Sequence, residues 1–194
     1  MRKLLTTLAC LCVLAALDVH TVSAQRLPPR NYEGHGACPF ECCTYRDWSV
    51  GADTVLYKSR AKNAPSVFRV KKGERVTGLT GVVVTLEPGR AVANADMSVG
   101  DGSRKVRVRR GDVLYLLHSV GEGFFKTWFR GRFYEVQPEG AAEHAARPEG
   151  IARRPYLRLL NAPRTVWWVK VRNKRGQVGW SRQPEHFGDM DACG

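Results

Sequence analysis

The chain has 194 residues and a formal charge of +13, from 31 lysines and arginines against 18 aspartates and glutamates. A 43% hydrophobic content is enough for a packed core and excludes wholesale disorder, while the length allows one ordinary domain or two small ones. So positive a chain suits anionic surroundings, whether cell-wall polymer, lipid phosphates, a membrane surface or nucleic acid, although evenly spread charge also serves solubility alone.

At the N-terminus Arg2 and Lys3 precede an apolar run over 4–17, followed by the small-residue motif Val22-Ser23-Ala24. This is the grammar of a signal peptide at 1–24, with cleavage expected near Ala24-Gln25 and a secreted or periplasmic mature protein. Leu8-Ala9-Cys10 offers a competing lipoprotein box, but the charged and apolar stretches ahead of Cys10 are too short for one. The apolar run falls below the roughly 20 residues of a membrane-spanning helix, and no later segment approaches that length. Removing 1–24 takes away two basic residues and one acidic one, leaving +12.

The segment 25–49 is marked by Cys38, Cys42 and Cys43, with Cys193 in the C-terminal tail at 189–194. Four cysteines in an exported chain point to two disulfides. Of the three pairings, the one joining adjacent Cys42 and Cys43 is disfavoured by disulfide geometry, and both others tie Cys193 to the first cluster. Either way the chain ends meet. Zinc is the alternative, since His35 lies close by, but Cys-x3-Cys-Cys matches no common knuckle spacing. No cofactor is expected.

From residue 50 onward, short apolar runs rich in Val, Phe, Tyr and Trp alternate with Gly, Pro, Asn and Asp, which predicts strands and turns rather than helices. Strands are expected at 54–57, 66–70, 74–79 and 82–86, then at 106–108, 113–117, 124–129 and 132–136, and finally at 156–160, 166–172 and 177–180. Residues 94–104 read as a polar loop and 137–154 as a linker rich in Ala, Glu, Pro and Gly.

An internal repeat runs through this pattern. Val70-Lys71-Lys72-Gly73-Glu74 and Leu79 recur 38 residues later as Val108-Arg109-Arg110-Gly111-Asp112 and Leu117. A second echo sets Trp167-Trp168-Val169-Lys170-Val171, Gly176 and Trp180 beside Phe124-Phe125-Lys126-Thr127-Trp128, Gly131 and Tyr134. On these motifs, together with Val55-Leu56-Tyr57 and Gly179, the chain resembles the bacterial Src homology 3 domain family. The resemblance implies an all-β fold of small antiparallel SH3-like barrels. The motif order departs from a tandem array, because the first opener meets a second opener and a second closer before its own closer. That order suggests one barrel over 50–86 plus 155–188 carrying an inserted barrel-like unit over 87–136, with a single elaborated barrel as the open alternative.

The resemblance implies recognition rather than catalysis, of cell-wall peptide or glycan or of an envelope protein. No Gly-x-Ser-x-Gly elbow, phosphate loop, His-Glu-x-x-His pair or paired carboxylate motif occurs in the sequence. His118, His144 and His186 stand apart from one another and read as surface or structural residues. Because successive strand residues face opposite sides, Trp167 and Trp168 cannot both be core, so one ring should face out near Arg172, Lys174 and Arg175. Trp128, Arg130 and Arg132 offer a similar aromatic and basic pairing in the inserted unit. Aromatic contact beside guanidinium groups suits carboxylate or phosphate ligands. Two other expectations stand beside wall recognition: non-specific binding of an anionic polymer such as lipopolysaccharide or extracellular DNA, and a purely structural role through a sheet edge.

Overall fold

The computed structural model describes residues 26–100, 105–138 and 156–193. The expected signal peptide, most of the linker, part of the polar loop and His144 lie outside them. The described residues are β throughout, apart from one 3-10 turn at Pro184–His186. No helix among them is long and apolar enough to cross a membrane. The strands are β1 (Tyr32–His35), β2 (Asp47–Val50), β3 (Thr54–Tyr57), β4 (Ser66–Val70), β5 (Arg75–Glu87), β6 (Gly89–Ala93), β7 (Met97–Gly100) and β8 (Lys105–Val108). They continue with β9 (Val113–Gly121), β10 (Phe124–Phe129), β11 (Arg132–Val136), β12 (Leu157–Asn161), β13 (Arg164–Asn173), β14 (Val178–Ser181) and β15 (Phe187–Gly188).

Two units share these strands. The outer unit is a sheet in the order β15-β2-β5-β13-β14-β3-β4, with β1 added to β5 beyond β2. The inserted unit is a sheet in the order β12-β6-β9-β10-β11, with the β7–β8 pair lying beside β11. Each has its own core. Trp48, Leu56, Val70, Val169 and Val171 are fully buried in the outer unit, as are Ala91, Val108, Leu114, Leu116 and Phe129 in the inserted one. Each large buried side chain contributes about 1.5–3 kcal/mol of apolar transfer energy.

The strand orders correspond one to one: β2, β3, β4, β5, β13, β14 and β15 match β6, β7, β8, β9, β10, β11 and β12. Hydrogen bonds repeat the match atom for atom. Gly73 N donates to Val50 O and Gly111 N to Ala93 O, both at 2.8 Å. Lys72 N meets Asp53 Oδ1 at 2.9 Å, and Arg110 N meets Asp96 Oδ1 at 3.0 Å. Gly51 N donates to His186 O and Asn94 N to Tyr156 O. Both turn glycines have positive φ, 87° at Gly73 and 90° at Gly111, a conformation that costs a side-chain-bearing residue more. The basic-Gly-acidic repeat in the sequence is therefore one turn built twice.

The inserted unit leaves the outer one at Glu87 and returns at Arg164, residues that oppose each other across β5 and β13 and form an ion pair at 2.6 Å. In the inserted unit the corresponding β9–β10 connection is only a tight turn through Glu122 and Gly123. The insertion thus stands where a hairpin turn would.

Several expectations are corrected. The strands expected at 74–79 and 82–86 are one continuous strand, β5, long enough to take β2 and β1 in succession along one edge. The polar loop at 94–104 contains β7, which pairs with β8. The strand expected at 156–160, assigned from sequence to the outer barrel, is β12 and pairs with β6 of the inserted unit. The cysteine-rich segment, for which no strand was expected, supplies β1 and β2.

The disulfides are Cys38–Cys43 and Cys42–Cys193, so the tail is bound to the N-terminal segment. Arg46 reinforces the junction by donating from Nε to Asp189 O at 2.9 Å and from Nη2 to Asp191 O at 2.5 Å.

Candidate ligand groove

The β13–β14 hairpin ends in a self-bonded tip. Asn173 Oδ1 accepts from the backbone N–H groups of Arg175 and Gln177, each at 3.0 Å, and Asn173 Nδ2 donates to Gln177 Oε1 at 2.8 Å. Gly176, at φ 80°, completes the turn and donates to Asn173 O. Lys174 and Arg175 are thereby presented from a fixed backbone. Facing them is the β4–β5 turn, where Lys71 N donates to Glu74 Oε2 at 3.2 Å.

Between tip and turn lies a groove of about 550 Å³, floored in part by half-buried Phe68 and lined by Arg69, Lys71, Glu74, Arg75, Lys174 and Arg175, with Asn173 and Gln177. Arg75 is held by Asp189 at 3.2 Å. Arg69, Lys71, Lys174 and Arg175 are exposed and form no ion pair among the described residues. Four unpaired cations around a concavity raise the local positive potential and attract anions.

The residues singled out from sequence fall in different places. Lys174 and Arg175 line the groove, and Arg172 is exposed on β13 outside its lining. Trp167 is not a free ring. Its Nε1 donates to Tyr45 Oη at 3.3 Å, and it meets Phe40, Tyr45 and Trp48 edge-on beneath the disulfide segment. Desolvation there raises the Tyr45 pKa above its usual value, with the Trp167 hydrogen bond opposing. Gly81 permits this packing, because a Cβ there would lie 2.3 Å from Tyr45 Oη and 2.4 Å from Trp167 Nε1. Trp168 is half-buried as well. Trp128 donates to Arg26 O at 2.8 Å and packs on Phe133, while Arg132 remains exposed. Arg130 is engaged by Asp112 at 3.0 Å and lies over the Phe129 ring. Thus the structure gathers the tip cations with Arg69 and Lys71, and gathers neither tryptophan with them. Arg69 and Lys71 flank the repeated turn, so the repeat was the signal that could have marked them.

The remaining histidines are placed by packing. His186 Nδ1 bonds Thr54 Oγ1 at 2.8 Å. His118, on β9 of the inserted sheet, is 5% exposed and packs against β1, with Tyr32 stacked on it at 5.9 Å between centroids. All four cysteines of the described residues are in disulfides. Comparison with protein-family models, with curated proteins and with solved structures returns no match.

Proposed function

We propose that this protein is a non-catalytic binding module of the cell envelope that recognises cell-wall peptide or glycan, or an envelope protein, through the groove between the β4–β5 turn and the β13–β14 tip. The observation that carries the reading is the set of four unpaired cations around that groove, held on two hydrogen-bonded turns. The bacterial Src homology 3 resemblance supports it through motifs that recur in order in both units. Secretion or a periplasmic location is proposed with it, supported by the signal-peptide grammar at 1–24 and by two disulfides, which persist in oxidising compartments.

The experiment is sedimentation of residues 25–194 with insoluble peptidoglycan at low and physiological salt, with DNA-cellulose in parallel. The expected result is retention on peptidoglycan alone at physiological salt. Equal, salt-labile capture on both would reduce the activity to charge. That second reading, binding of lipopolysaccharide or extracellular DNA, is favoured by the +12 charge that remains after residue 24 and requires steep weakening as counterions are released. Capture on neither would leave only a protein partner.

A further inference from the structure

The duplicated architecture allows the groove to be compared with its counterpart in the same molecule. In the inserted unit, Arg107 occupies the place of Arg69, Asp112 that of Glu74, Asp96 that of Asp53, and Arg130 lies at the hairpin tip. There the cations are answered from within. Arg107 Nη2 meets Asp96 Oδ2 at 2.6 Å, and Arg130 Nη2 meets Asp112 Oδ2 at 3.0 Å while its Nη1 donates to Arg107 O at 3.2 Å. Hydrogen bonds from Arg110 N and Arg107, in that order of importance, hold the Asp96 carboxyl below its usual pKa. Arg130 spans the space that is open in the outer unit, because its two-residue tip, Arg130-Gly131, brings it onto the turn.

The outer tip is longer, running from Asn173 to Gln177, and stands off from Glu74. Asp53 binds Lys72 N but not Arg69. The same two positions that are matched to carboxylates in one copy are therefore unmatched in the other. We infer that the outer groove is a carboxylate-binding site for a peptide, with Arg69 on one wall and Lys174 and Arg175 on the other taking the ligand's carboxylates where the inserted copy uses Asp96 and Asp112. This inference rests on the proposed binding function and specifies its ligand.

A peptide fits better than a polyphosphate or nucleic acid backbone for two reasons. Phe68 supplies an apolar floor that a bare polyanion does not use, and Glu74 places a negative charge in the groove that repels continuous anionic polymer. A volume of about 550 Å³ is within the range of small-ligand sites, roughly 300–1,000 Å³, and so admits a few residues. The carboxylates can come from a wall peptide or from an acidic segment of an envelope protein.

The test is calorimetric titration of residues 25–194 with the peptide Ac-Ala-Asp-Phe-Glu-Ala bearing a free C-terminus, with its Asn, Gln and C-terminal amide counterpart, with soluble wall peptides, and with tripolyphosphate. The acidic peptide is expected to bind at least about ten-fold more tightly than the amide counterpart. R69A and R175A should each weaken it by about ten-fold, the usual worth of one charge-assisted hydrogen bond. R110A, in the inserted turn, should leave it unchanged, and circular dichroism should show every variant folded. Tripolyphosphate binding as tight as the peptide, or equal binding of acidic and amide peptides, would overturn the inference. Sedimentation with peptidoglycan but no response to any peptide would overturn it while leaving the proposed function standing. Binding of the acidic peptide without soluble wall peptides would uphold it and name a protein as the source.

Discussion

His118 shows how a residue with no motif acquires a role from packing. Its Nδ1 bonds the carbonyl of Ser119 at 2.8 Å, and its Nε2 faces Gly34, where a Cβ would lie 2.4 Å away. Tyr32 and Gly34 of β1 pack on the ring, Lys126 of β10 and Glu135 of β11 form an ion pair beside it, and His35 lines the same cavity. Burial, first of all, holds the imidazole pKa below 6.5. Above pH 6.5 the ring is neutral folded and unfolded, and the packing is fully stabilising. As the pH falls below 6.5 the unfolded chain takes up a proton that the folded chain resists, so stability declines until the lowered folded-state pKa is passed. Melting temperature measured from pH 8 to pH 5 should therefore fall, and H118L should flatten that part of the curve; identical slopes would unlink His118. G34A should cost about 1–3 kcal/mol in denaturant unfolding at pH 8 by overpacking the ring. None of this was legible in the sequence, where His118 and Gly34 lie 84 residues apart (118 − 34) on strands of different sheets.

At the level of elements, strands were legible where alternation was strong and illegible where the partner decided the outcome. Ser66–Val70 alternates, and its expected bounds match β4. Met97–Gly100 carries too few apolar residues to declare itself and becomes a strand because β8 pairs with it. The break expected between 79 and 82 fell at Gly81, yet Gly78 and Gly81 are glycines for another reason: a Cβ at Gly78 would lie 2.6 Å from the Trp48 ring, and Gly81 clears Tyr45 and Trp167. The cysteines were read as two bridges, but which sulfurs joined required the backbone. Cys42–Cys193 closes 151 residues and Cys38–Cys43 only 5, so in the chain-entropy model the first is worth about 5 kcal/mol and the second about 2. The double variant C42S/C193S should accordingly lose more in thermal melting than C38S/C43S. The opposite order would mean that the short loop stabilises chiefly by seating Phe40 and Tyr45 over Trp167.

On the scale of the whole molecule, the order of the motifs, with an opener and closer between another opener and its closer, suggested nesting without deciding it against a single elaborated barrel; in the structure β6 to β12 lie in sequence between β5 and β13 and pair in sheets apart from theirs. The boundary was not legible, since β12 follows the linker and directly precedes the outer β13 in sequence, and it declares its unit only by pairing with β6. The physical basis of the nesting is that the insertion begins and ends at one point. Glu87 and Arg164 face each other, and Gly89 passes so near the returning chain that a Cβ would lie 2.6 Å from Asn161 O and Pro163 N. Two cores that do not share residues should fold with considerable independence. Replacing 88–163 by Gly-Glu-Gly, the sequence that turns β9 into β10, should therefore leave a folded outer unit whose groove retains its affinity for acidic peptide. The excision also removes the partners of β1 and β5, among them the Leu117 carbonyl that accepts from buried Thr85 Oγ1 at 2.8 Å and the His118 ring that carries Tyr32. The shortened protein should melt cooperatively but at lower temperature, with T85V recovering part of the loss by removing a hydroxyl left without its acceptor. A non-cooperative melt, with exposed hydrophobic surface reported by dye binding, would show instead that the two units form one folding unit and that the inserted sheet is structural support for the groove.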